Sequence, residues 1–195
     1  MGGKKSELTL EKKAKKKQII NNNKSAQMIF KTSLRNHIDL TSIADNKANI
    51  MLSVNALIIT ITISLLGSNI GTNAQFNLPA MLLLFTSVAS MIAATLATRP
   101  VKTEGITSLE QIDKGPTNLF FYGNFYKMQF NNYKKGIQQI IQDDAKLDDT
   151  ITSDLFYLGK ALGIKFARLR VCYNIFAVGL TLTAISFAAS FFLMN

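Results

Sequence analysis

The sequence predicts an all-α membrane protein: three transmembrane helices, two of them continuous with long cytoplasmic helices that form a small helical sensor domain. Two observations carry that expectation. No charged residue occurs between Lys47 and Arg99 or after Arg170, so all 22 Lys/Arg and all 12 Asp/Glu fall within residues 1–47 and 99–170. A soluble protein must wet its whole surface and scatters its charges; a 51-residue stretch without one points to lipid. In addition, no Gly or Pro interrupts Ser25 to Leu66, and the helical stripe before the third apolar run reaches it without a breaker.

Residues 1–24 are lysine-rich and end in Asn21–Asn23, which reads as a basic disordered tail that helps set topology and meets anionic headgroups. A nucleic-acid-binding tail would be expected to interleave aromatic residues, and this one has none. From Ser25, Phe30, Leu34, His37 or Ile38, Thr41, Ala44 and Ala48 recur at three- and four-residue spacing, predicting a cytoplasmic helix over 25–49. It runs into a first span at 50–67, one helix of about 42 residues in all. The β-branched run inside that span would suit a strand in water, but a lone strand in lipid leaves its backbone groups unsatisfied. The span is short for a bilayer of roughly 30 Å unless it extends back through Asn49 and Ala48. The second span, 78–98, begins at Leu78-Pro79 and carries a small-residue face of Ala89, Ser90, Ala93, Ala94 and Ala97, suited to close helix packing.

Residues 99–170 form a cytoplasmic helical region. Thr107-Ser108-Leu109-Glu110 reads as a capping box for a short helix that Lys114-Gly115-Pro116 closes. An aromatic segment follows, Asn118 to Lys127, with five aromatics in seven residues. Asn131 or Asn132 is expected to cap a helix to about Leu147, with Tyr133, Ile137, Ile140 and Ile141 inward. Asp148, Asp149 and Thr150 offer the start of the last helix, whose stripe of Ile151, Leu155, Leu158, Leu162, Phe166 and Leu169 leads into the third span at 171–194. Gly159 and Gly163 on it suggest a close helix contact. The uncharged loop from Gly67 to Asn77, against 11 Lys/Arg in each flanking block, places the N-terminus and the 99–170 segment in the cytoplasm and the C-terminus outside.

No catalytic arrangement emerges. There is one His, no local Cys-His pair, no metal-ligand spacing and no phosphate-binding glycine pattern. The acidic pairs Asp143/Asp144 and Asp148/Asp149 sit near helix ends, where caps and solvated faces explain them. The single Cys172 reads as a small core residue, and one cysteine makes no internal disulfide. Two polar constellations are more suggestive. Arg35-Asn36-His37-Ile38-Asp39 with Ala44 to Asn49 crowds the membrane entrance, although ordinary ion pairing and interfacial anchoring account for it too. Arg99-Pro100 with the aromatic segment offers a guanidinium for a phosphate and rings for a flat base. Aromatics beside a membrane also form interfacial belts or small cores.

Asn-His-Ile-Asp-Leu (36–40), Ala-Asp-Asn-Lys-Ala-Asn-Ile (44–50), Ala-Thr-Arg-Pro (97–100), Asn-Leu-Phe-Phe-Tyr-Gly-Asn-Phe (118–125) and Tyr-Leu-Gly-Lys (157–160) stand in one order along the chain. With Arg168-Leu169-Arg170 and Tyr173-Asn174, they resemble the transmembrane Pycsar effectors over about residues 30 to 193. The resemblance implies a non-enzymatic bacterial antiphage effector of the inner membrane, activated by cyclic UMP or cyclic CMP, that impairs that membrane and causes abortive infection. It supplies no ligand residues. From the constellations above, the cyclic nucleotide is expected among Arg35, Asn36, Asp39, Arg99, Asn118, Tyr122 and Asn124. The partners expected are that mononucleotide, membrane lipid and further copies of the chain, without nucleic acid, cofactor or metal. A scaffolding membrane protein with no small ligand is the alternative.

Overall fold

The computed structural model describes residues 24–69, 76–100, 102–115 and 117–192. The basic tail expected over 1–24 therefore lies outside the described residues except for Lys24, as do residues 70–75 of the loop between the first two spans. The elements are α1 (Lys24–Asn69), α2 (Asn77–Thr98), α3 (Leu109–Lys114), a 3-10 turn (Tyr122–Asn124), α4 (Phe130–Gln142) and α5 (Asp144–Phe192). Among the described residues there is no strand. The chain divides into two compact units, one of residues up to Ile38 with 101–160, the other of residues 39–100 with 161–195.

Helix α1 is 46 residues long and α5 is 49, each unbroken as the absence of breakers predicts. In the second unit these two helices and α2 make a three-helix bundle. Its charge-free helical segments are 48–69, 77–98 and 171–192, each 22 residues or about 33 Å of rise. That matches a hydrocarbon core of roughly 30 Å and removes the apparent shortness of the first span, which continues to Asn69. Packing brings the three charge boundaries to one level: Ala44, Ala48, Ala97 and Leu169 form one buried cluster, backed by Phe166. One turn on, Met51, Ala94 and Cys172 form the next. The outer surface carries Leu57, Ile61, Phe85, Val178 and Ile185, all exposed, as a bundle solvated by lipid requires. All three helices are long and apolar enough to cross a membrane.

The first unit has its own core of Ile112, Leu119 and Ile140, surrounded by Leu109, Phe125, Met128, Tyr133, Ile137 and Leu147. Several local expectations shift here. Helix α3 is capped by Ser108, whose hydroxyl accepts from the Gln111 amide while the Gln111 side chain accepts from Ser108 N, so the box lies one residue later than Thr107–Glu110. Helix α4 starts at Phe130 after Gln129 without a side-chain cap, ahead of Asn131, and it ends at Gln142 rather than near Leu147. Asp143 is extended, and its carboxylate accepts from the amides of Ala145 and Lys146. That carboxylate, not Asp148, opens α5. Ile140 is buried as expected, but Ile141 is exposed. A Cβ on Gly159 would touch the His37 ring, whereas Gly163 faces open space.

Candidate functional site

The aromatic loop of the first unit is tied down by a set of backbone and side-chain hydrogen bonds. Leu119 is buried against Ile112 and Ile140, which fixes one end of the loop to the core. The chain then turns back on the strip 103–107. Gly105 N donates to Gly123 O at 2.9 Å, Lys127 N donates to Gly105 O at 2.7 Å, and the Thr107 hydroxyl donates to Asn124 O at 3.0 Å. Gly105 has φ +79, in the left-handed region open to glycine, and a Cβ there would enter the Tyr126 ring. Close approach excludes a side chain at Gly123 as well, where Phe121 and Thr103 fill the space.

Asn118 organises the loop. Its side-chain oxygen accepts from Phe120 N at 2.8 Å and Phe121 N at 3.2 Å, an Asx-type turn, and its amide donates to Asp154 Oδ1 on α5 at 2.6 Å. Asn124 completes the set by donating from Nδ2 to Asn118 O at 2.8 Å. Asn124 therefore spends its side-chain amide within the loop and Asn118 spends its own on Asp154 of α5, so both act by shaping and tethering the loop. Asp154 is a participant that sequence reasoning missed; its only signal is a carboxylate amid an otherwise apolar-periodic stretch.

The loop presents rings to solvent. Phe120, Phe121, Tyr122 and Tyr126 are all exposed, Tyr122 to 60%. Phe121 and Tyr122 have centroids 4.8 Å apart, Tyr122 and Tyr126 6.5 Å, and the Lys127 ammonium lies 5.2 Å from the Tyr126 centroid. Phe125 turns inward instead, 4.7 Å from Tyr133. A backbone-locked aromatic surface flanked by a cation can stack a flat heterocycle and attract an anion.

Of the other expected site residues, Arg35 and Asn36 lie exposed on α1 in the same unit. Asp39 and Arg99 belong to the second unit: Asp39 is exposed on α1, and Arg99 is the exposed residue that ends α2. The structure thus groups Asn118, Tyr122 and Asn124 in one loop. Among the described residues no hydrogen bond joins Arg35 or Asn36 to that loop. A concavity in the same unit, lined by Ile112, Thr117, Ile140, Asp149 and Thr150 with the Lys146–Asp113 ion pair (3.7 Å), has a volume of about 110 Å³. Ligand pockets run roughly 300–1,000 Å³, so a mononucleotide does not fit inside it. Among the described residues no group of three or more His, Cys, Asp or Glu could hold a metal ion.

Compared with known proteins, residues 29–193 match the model of a family described as the Pycsar effector protein domain. No curated protein and no solved structure matches the chain.

Proposed function

This chain belongs to the Pycsar effector family, the antiphage defence effectors, and on that premise we propose that it senses a cyclic pyrimidine mononucleotide and answers by impairing the inner membrane. The observation that carries the reading is the exposed ring surface of Tyr122 and Tyr126 beside Lys127, held rigid by the Asn118–Asp154 network in a chain with three bilayer-length helices. The pyrimidine stacks on Tyr122, and the cyclic phosphate meets a cation, Lys127 on the loop or Arg35 on the same unit. Asn36 is the first candidate to read a base edge. Asn118 and Asn124 serve by holding the rings in place. Asp39 and Arg99, in the other unit, enter the test as separate variants.

The chemistry is binding, not turnover: no arrangement that would activate a nucleophile forms part of the proposed site, and no cofactor takes part. In this reading the tail and residues 99–170 face the cytoplasm, the short loop and the C-terminus face outward, and copies associate in the bilayer. A ligand moves such an equilibrium only by binding its two states unequally. Membrane failure then halts the cell before phage spreads.

Titration calorimetry of the purified protein with cyclic UMP and cyclic CMP tests the sensing step. Base–aromatic stacking contributes about 1–3 kcal/mol, so Tyr122→Ala should weaken binding roughly 5- to 150-fold. Vesicles containing the protein should lose a potassium diffusion potential when the nucleotide is added. Absence of heat with either nucleotide, together with an unchanged potential, would favour the scaffolding alternative.

A further inference from the structure

The interior of the bundle in the second unit is divided along its length. From the charge boundary inward, the first layers are apolar and close-packed: Ala48, Ala97 and Leu169, then Met51 and Ala94 beside Cys172. Beyond them every buried side chain given by α1 and α5 to the interior is small and polar or absent. Asn55 lies about 10 Å past the boundary, Gly179 about 12 Å, Thr183 about 18 Å and Thr62 about 21 Å at 1.5 Å per residue. Helix α2 adds Thr86, Ser87 and Ser90 at similar depths. The lipid-facing surface at those depths is mainly leucine, isoleucine and phenylalanine, and its exceptions, Thr60, Ser64 and Thr181, each donate to a carbonyl one turn back, so no bare hydroxyl is left there.

Two of these groups lack a protein partner although fully buried. Asn55 is 0% exposed; its amide donates to Met51 O at 2.8 Å and to Ser90 Oγ at 3.0 Å, but its carbonyl oxygen accepts nothing. Ser87, also 0% exposed, has a hydroxyl with no partner. A bundle selected only for adhesion gains nothing from an oxygen left bare in a low-dielectric interior. The groups left bare are a carbonyl and a hydroxyl, oxygen ligands of the kind that replace the hydration of a hard monovalent cation.

We propose that this seam between the three helices of one chain is a conduction path for water and small monovalent cations, and that the Met51–Leu169 layers are its hydrophobic gate. The seam is closed in this structure. The Thr86 side chain occupies the space left by the missing side chain of Gly179, and alanines bring the helices together at the gate. Apolar constrictions block ions by excluding water, so a small separation of the helices at Leu169 is enough to wet the path. The inference rests on the membrane-impairing reading above and adds its route: through each bundle, not between copies and not through disordered lipid.

The test uses the full chain in potassium-loaded vesicles. Leu169→Asn puts an amide in the gate and is expected to leak potassium without any nucleotide; Met51→Gln serves if Leu169→Asn fails to insert. In a Cys172→Ala background, Ser87→Cys lines the seam and Phe85→Cys faces lipid. Silver ion, which reacts with thiols in water, should abolish the leak of the Ser87→Cys gate variant and leave that of the Phe85→Cys gate variant unchanged. Tight vesicles from both inserted gate variants overturn the proposal, as does silver block at Phe85→Cys alone. If the gate variants leak and block as expected while neither cyclic UMP nor cyclic CMP opens the wild type, the seam stands and the nucleotide reading fails.

Discussion

Replacing Asn118 tests whether the amide network is what shapes the ring surface. Asn118→Leu keeps the size of the side chain and removes three hydrogen bonds: two accepted from Phe120 N and Phe121 N, and one donated to Asp154. The bond to a carboxylate contributes about 1.5–3 kcal/mol, and each bond to an exposed backbone amide about 0.5 kcal/mol because water replaces the lost oxygen. The loop therefore loses roughly 2.5–4 kcal/mol against local opening. At 1.4 kcal/mol per factor of ten, amide hydrogen exchange over residues 121–127 should accelerate about 60- to 700-fold. Asn118→Asp separates the two halves of the effect. It keeps an oxygen for the Phe120 and Phe121 amides but sets a carboxylate against that of Asp154, turning the tether into repulsion. Exchange at Phe121 should then stay slow while Tyr126 and Lys127 accelerate. If Asn118→Leu exchanges within about twofold of wild type by the same measure, the backbone bonds of Gly105 suffice and the network reasoning is wrong.

Gly105→Ala should disorder the same loop from its other side, since positive φ costs about 1–2 kcal/mol and the new methyl displaces the Tyr126 ring. Gly115→Ala, facing open space with φ near 180°, is the silent control in the same exchange experiment. Lys165 donates to Asp45 at 2.7 Å across the bundle entrance, so either single charge reversal should lower the unfolding temperature in detergent. The double reversal, Asp45→Lys with Lys165→Asp, should recover most of it, for a coupling of about 1 kcal/mol. Gly179→Leu drives a side chain into Thr86 and should destabilise the bundle by about 1–3 kcal/mol in that assay, while Gly163→Leu should not.

The three long apolar helices were legible because lipid would enforce a rule that needs no partner: charge stays out. Lys47, Arg99 and Arg170 mark that boundary in the sequence, and packing of Ala48, Ala97 and Leu169 brings it to one level. The inward stripes of α1 and α5 were legible by period, with His37 rather than Ile38 taking the inward place. Helix starts were harder. Four aspartates between 143 and 149 are comparable caps by chemistry, and the extended backbone at Asp143 decides among them. The aromatic loop was visible as composition but not as geometry. Whether Asn118 meets a ligand or Asp154 depends on a contact 36 residues away, and Gly105 carries no local sign that Tyr126 will cover it.

The uneven interior of the bundle bears on what the three helices are for. In lipid, helices associate through close packing, and an interhelical hydrogen bond adds on average only about 0.6 kcal/mol. A passive anchor could therefore be packed with alanine and leucine throughout, as the layers nearest Arg99 are. Shielding polar groups from lipid does not explain the rest, because nothing requires threonine and serine at Thr62, Ser87 and Thr183 in the first place. Nor does adhesion, since the Asn55 carbonyl and the Ser87 hydroxyl contribute no bond between helices. What remains is a demand on the interior itself. Polar groups gathered beyond an apolar layer give a path that is closed by a few side chains and wetted when those part, whereas an even mixture would either leak at rest or resist opening along its whole length.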